Sequence, residues 1–195
     1  MDVRAELEQL TLAAALLSRR ARVAIVHQAT GLARGRLRKR HRELHGTRPA
    51  FGQLPGYGGM TLQTRGEQIE AGFFAALYAH HAGTDSDEPP CPHTLIAVYD
   101  LYRELTRGEA PLDVNAAWVI ARDLALGTAS LRPCPRCALA YLSASASRLA
   151  PTCPFCALYE RRGGQGRVAR WAPPAGIERV RAIWTEAEAS RDTAG

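Results

Sequence analysis

This 195-residue chain predicts a mostly α-helical fold: a multi-helix body with a helix-turn-helix-like N-terminal region and a small four-cysteine module toward the C-terminus. Three observations carry that expectation. Apolar residues recur at spacings of three and four through most of the first two thirds of the chain, the period of a helix with one buried face. Glycine and proline interrupt the pattern often enough to separate helices rather than leave one long rod. Four cysteines stand as two CxxC pairs in a stretch without helical periodicity. A hydrophobic content of 46% is ample for a core, and the length suits one domain or one domain with a small appendage. The expected division is a helical body over 1–130, a cysteine module over 131–160, and a basic, partly flexible tail over 161–195.

Residues 3 to 19 read as a first helix, with Leu7, Leu10, Ala14 and Leu17 recurring on one face. A second, short helix runs from about Arg20 to Thr30, and Gly31 is placed to end it in a left-handed conformation. A third runs from Ala33 to His45, closed by Gly46 with Pro49 just beyond. Gly52 to Gly59 is a glycine- and proline-rich loop. Leu62, Ile69, Phe73, Ala76 and Leu77 mark a fourth helix, and Gly83 to Pro92 a polar, proline-broken connection. The fifth helix carries Leu95, Val98, Tyr99, Tyr102 and Leu105. The sixth follows Pro111, whose missing N–H costs nothing in a first turn, and carries Leu112, Ala116, Val119 and Ile120. Ala140-Tyr141-Leu142 is the strand candidate of the cysteine module, and Ile177 to Ala189 a weakly signalled last helix.

Cys134-Pro-Arg-Cys137 and Cys153-Pro-Phe-Cys156 are separated by fifteen residues. Each pair lets a tight turn aim two thiolates inward, and the loop brings the second pair round to complete a tetrahedron. The leading expectation is a closed, structural zinc site (one Zn2+ per chain) on Cys134, Cys137, Cys153 and Cys156. Such a site has no open coordination position and therefore scaffolds rather than catalyses. Structural disulfides, redox-active CxxC pairs and rubredoxin-like iron are the rival readings. Nothing at the N-terminal end resembles a secretory leader, so the expectation is a cytoplasmic, reducing compartment in which paired cysteines hold metal. No stretch is long and apolar enough to span a bilayer, and no membrane partner is expected.

The net charge is +6, and its distribution matters more than its size. Between Gln9 and Gly66 a single acid, Glu43, faces eleven basic residues. A basic block confined to one segment is the electrostatic footprint of a polyanion partner. The second and third predicted helices, joined at Gly31, have helix-turn-helix spacing. Val23, Val26, Leu32, Leu37 and Leu44 are expected to pack the pair, with His41 and Leu44 beside Leu37 on the inner face. Arg38, Lys39 and Arg42 then point away, with Arg34 and Arg36 on the flanks, which is the fan of cations a recognition helix presents to DNA. Arginine suits the task because its planar fork grips phosphate or guanine with two hydrogen bonds. Gly35 inside that helix and Ala33 at its cap weaken it locally. The rival reading is a zinc-ribbon interaction module whose arginines meet an acidic protein or RNA.

No phosphate-cradling P-loop, GxSxG elbow or HExxH helix is present, so no enzyme is expected. Asp100, Glu104 and Asp113 are scattered helix carboxylates. Cys91 and His93 offer too few ligands for a second metal, and His80 and His81 suit a helix C-terminus. Arg161, Arg162, Arg167 and Arg170 form a second basic cluster, equally a phosphate-seeking arm or a solvated tail.

The chain resembles the FlhC family, subunits of the bacterial flagellar master transcriptional regulator. The resemblance lies in Gly31-Leu32-Ala33-Arg34-Gly35-Arg36-Leu37 through Arg42-Glu43-Leu44-His45-Gly46, with Pro49 and Leu54-Pro55 behind. It continues in the two CxxC pairs after a helix containing Trp118, and covers about residues 5 to 162. It implies a mostly helical protein holding zinc on the four cysteines, and assembly with FlhD into a heterohexamer. It also implies that this complex binds double-stranded promoter DNA of flagellar operons and helps recruit RNA polymerase. Two departures stand out: Gly56-Tyr57-Gly58-Gly59 replaces a polar and aromatic stretch, and Ala33 replaces a serine.

Overall fold

A computed structural model describes residues 3–50, 62–82, 90–107, 112–144, 149 and 152–161. In order these form α1 (Val3–Ser18), α2 (Val23–Thr30), α3 (Arg34–His45), α4 (Arg65–Ala82), α5 (Pro92–Leu105), α6 (Val114–Ala125), β1 (Ala129–Pro133), β2 (Ala140–Ala144) and α7 (Pro154–Arg161). The expected loop over Gly52 to Gly59, the arginine-rich tail and the helix at Ile177 to Ala189 lie outside the described residues.

The first three helices form a compact unit. α1 ends where Arg20 takes φ +62°, with Ala21 N–H donating to the Leu16 carbonyl at 3.0 Å and Arg20 N–H to Leu17 at 2.9 Å. This is a Schellman closure with arginine in the position glycine usually fills, so α2 starts at Val23 rather than at Arg20. Gly31, at φ +70°, closes α2, and its N–H donates to the His27 carbonyl at 2.8 Å. Three residues, Gly31 to Ala33, then turn the chain into α3.

Two expected packing faces shift. α1 buries Leu12, Ala13, Leu16 and Leu17, whereas Leu7 is 63% exposed and Ala14 is also exposed. The inner stripe is set by where α2, α3 and α5 lie against α1. On α3 the buried residues are Leu37 and His41, while Leu44 is 53% exposed. The inward stripe follows the i+4 row through Leu37, His41 and His45 rather than bending to Leu44. His45 takes the inward place because its Nε2–H donates to the Leu17 carbonyl at 2.7 Å, one of the acceptors left open at a helix end.

α1 is tied onward to α5. Arg19 Nε donates to Asp100 Oδ1 at 2.8 Å, and its Nη2 meets the second carboxylate oxygen. Asp100 raises the Arg19 pKa, chiefly through this hydrogen bond. Beyond that link α4 is the central element, touching α5, α6, α7 and both strands. Phe74, Tyr78, Tyr99 and Tyr102 form an aromatic layer between α4 and α5. Tyr102 donates to Glu70 Oε2 at 2.9 Å. The expected core residues Leu95, Val98, Tyr99 and Tyr102 are all buried. Asp113 caps α6 by accepting from Ala116 N–H at 2.8 Å.

The strand expected at Ala140 to Leu142 has a partner that periodicity did not disclose. β1 and β2 pair antiparallel with Leu131 opposite Leu142. A lone two-stranded hairpin is marginal in water; this one is pinned to α4. Buried Gln68 donates from Nε2 to the Leu142 carbonyl at 2.9 Å, and its own Oε1 accepts from Arg65 Nη1 at 2.8 Å. Arg65 also donates to Thr152 Oγ1 at 2.7 Å, just before the second cysteine pair.

Replacing Gln68 with leucine keeps the volume but leaves the Leu142 carbonyl without this donor, a loss of about 1–3 kcal/mol. Thermal unfolding of Gln68→Leu is expected about 2–4 °C lower per kcal/mol lost. An unchanged melting temperature would show that the hairpin does not depend on this contact.

Candidate metal centre and basic face

The first cysteine pair forms the turn of the hairpin. Cys134 N–H donates to the Leu139 carbonyl at 2.9 Å, and Ala138 N–H to the Cys134 carbonyl at 2.8 Å. Closing so tight a turn places Ala138 at φ +60°. The Arg136 N–H points at Cys134 Sγ, 3.4 Å away. The second pair opens α7, where Pro154 occupies the first helical position. Ala157 N–H donates to the Cys153 carbonyl at 3.0 Å. The positive end of that helix favours thiolate, an effect that burial outweighs at Cys153.

These two turns bring all four sulfurs within 4.8 Å of one another. Cys134 Sγ lies 3.8 Å from Cys156 Sγ, and Cys137 Sγ 3.6 Å from Cys153 Sγ. A disulfide has sulfurs at about 2.05 Å, and all five cysteines are free thiols, so the disulfide reading is not realised. Metal bonds of about 2.3 Å from a tetrahedral centre set sulfurs about 3.8 Å apart, close to the spacing of these two pairs. The donor set fits a metal ion. Backbone N–H groups of Cys137 and Arg136 hold the Cys134 thiol down at about 6. Burial pushes the Cys153 thiol up to about 12 and raises Cys156 as well. Burial opposes ionisation of Cys153 and Cys156, a cost that a bound divalent cation would offset.

Among the described residues no other group of three or more metal-ligating side chains converges. Cys91 is exposed at the cap of α5, outside the cluster. Arg136 and Glu160 form a close ion pair that links the hairpin turn to α7, with both side chains more than half exposed.

The second candidate site is the outer face of α3. All five expected contact residues, Arg34, Arg36, Arg38, Lys39 and Arg42, are exposed. The structure divides them. Arg34, Arg38 and Arg42 follow an i, i+4, i+8 row and line one groove of about 330 Å³ together with Arg22 and Arg48. Arg36 is directed to Glu6 of α1 at 3.5 Å. Lys39 lies on the helix away from that groove and is exposed. Arg40 pairs with Glu43 at 3.0 Å. Arg22 and Arg48 belong to the basic block visible in the sequence, but only the fold carries them to α3. Ala33 caps α3 without a side-chain hydrogen bond, since alanine has no side-chain acceptor to offer.

The described residues form a helical protein with a four-cysteine cluster and a basic helix, and comparison with known proteins supplies its class, a family of transcriptional regulators rather than enzymes. A family model described as "Flagellar transcriptional activator (FlhC)" matches residues 2–169. The chain therefore belongs to the FlhC family. Proteins called flagellar transcriptional regulator FlhC match it in three organisms. That of Gallionella capsiferriformans (strain ES-2) is 30% identical over 139 residues, covering 68% of this chain and 73% of the relative. That of Serratia marcescens is 32% identical over 144 residues, covering 71% and 72%. That of Paraburkholderia atlantica is 30% identical over 138 residues, covering 68% and 61%.

Cys134→Ser is expected to lose bound metal and to melt earlier, while Cys91→Ser keeps both metal content and melting temperature. Metal analysis per chain alongside thermal unfolding checks this. Equal metal content in the two variants would remove the four-cysteine assignment.

Proposed function

We propose that this chain activates transcription of flagellar operons from the cytoplasm by binding promoter DNA in a heterohexamer with FlhD and helping to recruit RNA polymerase. The observation that carries the reading is α3: a helix anchored by one narrow stripe, Leu37 and His41, with Arg34, Arg36, Arg38, Lys39 and Arg42 exposed around the rest of its circumference. Membership of a regulator family supports a role at promoters. No helix among the described residues is long and apolar enough to cross a membrane.

Zinc is the metal we assign to Cys134, Cys137, Cys153 and Cys156. Four soft sulfur donors at tetrahedral spacing suit it, and when bound it neutralises the thiolates and locks the hairpin turn to the start of α7. Its part in DNA binding is indirect, through the folded state. An exposed apolar face supports a protein partner: Val3 and Leu7, one helical turn apart on α1, are 80% and 63% exposed. We place FlhD among the partners on the family relationship, not on that face alone.

The test is a titration of the zinc-loaded full chain, alone and with FlhD from the same organism, against a flagellar promoter fragment and a scrambled duplex at fixed salt. Preferential promoter binding that sharpens with FlhD is expected. Equal affinity for both duplexes, unchanged by FlhD, would instead make the basic face a general polyanion patch. In the same assay Leu7→Glu is expected to weaken FlhD binding while leaving metal content unchanged. Unaltered complex formation, followed by size-exclusion chromatography, would discard the α1 face as part of that contact.

A further inference from the structure

The two halves of the cysteine cluster are carried by separate elements. Cys134 and Cys137 lie in the turn between β1 and β2, Cys153 and Cys156 at the start of α7. A two-stranded hairpin and an eight-residue helix are both marginal in isolation. A metal that had to order both would lose much of its binding free energy to that ordering. A frame that sets the two turns side by side beforehand lowers that cost.

α4 supplies such a frame, and Arg65 is where it reaches the second pair. Arg65, Gln68 and Gly72 are spaced at three and four residues, so they share one face of the helix. β2 lies so close to that face that a Cβ on Gly72 would stand 3.5 Å from the Leu142 nitrogen. Gln68 is 3% exposed and uses both ends of its amide. Its Nε2 donates to the Leu142 carbonyl at 2.9 Å, and its Oε1 accepts from Arg65 Nη1 at 2.8 Å. The same Nη1 donates to the Thr152 carbonyl at 3.1 Å, and Nη2 to Thr152 Oγ1 at 2.7 Å. Thr152 lies at the surface, yet two of its atoms are held by one guanidinium whose other contact is buried. A continuous path of hydrogen bonds thus runs from β2 through Gln68 and Arg65 to the residue before Cys153.

The base of Arg65 is itself held. Thr64 and Glu67 form a capping box at the start of α4: Glu67 N–H donates to Thr64 Oγ1 at 3.1 Å, and Glu67 Oε2 accepts from the Thr64 N–H at 2.8 Å. Arg65 stands between them in the first turn, so its planar fork projects from a fixed stretch of backbone. Arg136 and Glu160 also span the two cysteine turns, but both side chains are more than half exposed, where an ion pair contributes little.

We infer that Arg65 is a positioning residue for the metal centre, holding Cys153 in register with the hairpin cysteines through Thr152 and Gln68. This rests on the metal-binding reading of the four cysteines and adds a residue outside them with a defined role. Loss of a group hydrogen-bonded to a metal ligand lowers metal affinity about ten- to a hundredfold. Arg65 acts one step further out, through the neighbour of Cys153, so the lower end of that range applies.

The experiment measures zinc affinity of the full chain by competition with a chromogenic chelator. Cobalt(II) absorption of the same variants is recorded, with circular dichroism and melting as folding checks. Arg65→Met, which keeps the stem and removes the fork, is expected to lower zinc affinity about tenfold and to weaken the tetrahedral cobalt bands. Arg65→Lys keeps the charge but not the fork, and falls with it. Gln68→Leu breaks the same path, so the double variant Arg65→Met/Gln68→Leu binds zinc no more weakly than the weaker single variant. Two comparisons separate positioning from general stability. Val98→Ala, in the buried face of α5, lowers the melting temperature but leaves zinc affinity and the cobalt bands at wild type. Arg136→Ala stays within about threefold of wild-type zinc affinity. Wild-type affinity in either Arg65 variant, additive losses in the double variant, or an equal loss in Val98→Ala would each overturn the positioning role while leaving the metal centre in place. A wild-type chain that binds no zinc would overturn the metal-binding reading itself.

Discussion

Four sulfurs confined within 4.8 Å of one another are the constraint on which the C-terminal part of this protein depends. Two come from a hairpin turn and two from the start of a short helix, and of the hairpin's apolar residues Ala129 and Leu142 join the core. β1 and β2 are five residues each, and α7 is eight, below the length at which an isolated helix holds in water. They are brought together at a four-cysteine cluster that could hold a metal ion on one side and attached to α4 on the other. The attachment is polar and specific: Gln68 to the Leu142 carbonyl, Arg65 to Gln68 and Thr152. Through α4 the cysteine turns are joined to the same core that supports the rest of the body.

The N-terminal unit solves a different problem, that of holding a helix of net positive charge against a hydrophobic core. α3 contains five arginines, a lysine and two histidines in twelve residues, so it has little apolar surface to contribute. It is retained by Leu37, by His41 with its Nδ1–H toward the Thr47 carbonyl at 3.3 Å, and by His45 on the end of α1. Histidine serves here as a half-apolar residue that also satisfies an open backbone acceptor. The narrowness of the anchor leaves the remaining circumference for cations. Arg19 and Asp100 then fix α1, and with it the basic unit, to α5.

Much of this was legible from residues alone. Six helices of the body were visible as periodic apolar runs closed by Gly31, Gly46 and proline punctuation, and the CxxC spacing marked the cysteine cluster without any knowledge of the fold. The errors share one origin. At Arg20 a non-glycine residue takes the left-handed position, so residue type gave no sign of the helix end. At Leu7 and Leu44 the apolar residue was present, but the direction of burial was set by neighbouring elements. β1 went unseen because Ala129-Ser-Leu-Arg-Pro133 has little β propensity; it is a strand because β2 and α4 make it one.

The sequence by itself determined the helical class, the identity of the four clustered cysteines and the concentration of positive charge in one N-terminal block. Those properties are local: a period, a spacing, a composition. Only the tertiary structure decided which sulfurs face each other across the two turns, which stripe of α1 is covered, and which arginines lie together. Arg22, Arg38 and Arg48 are distant along the chain yet line one groove, while Arg36, two residues from Arg38, is turned to a glutamate on another helix. Along a helix each residue rotates about 100° from the last, so neighbours in sequence point apart. Convergence is a property of how helices pack, and no local pattern specifies it.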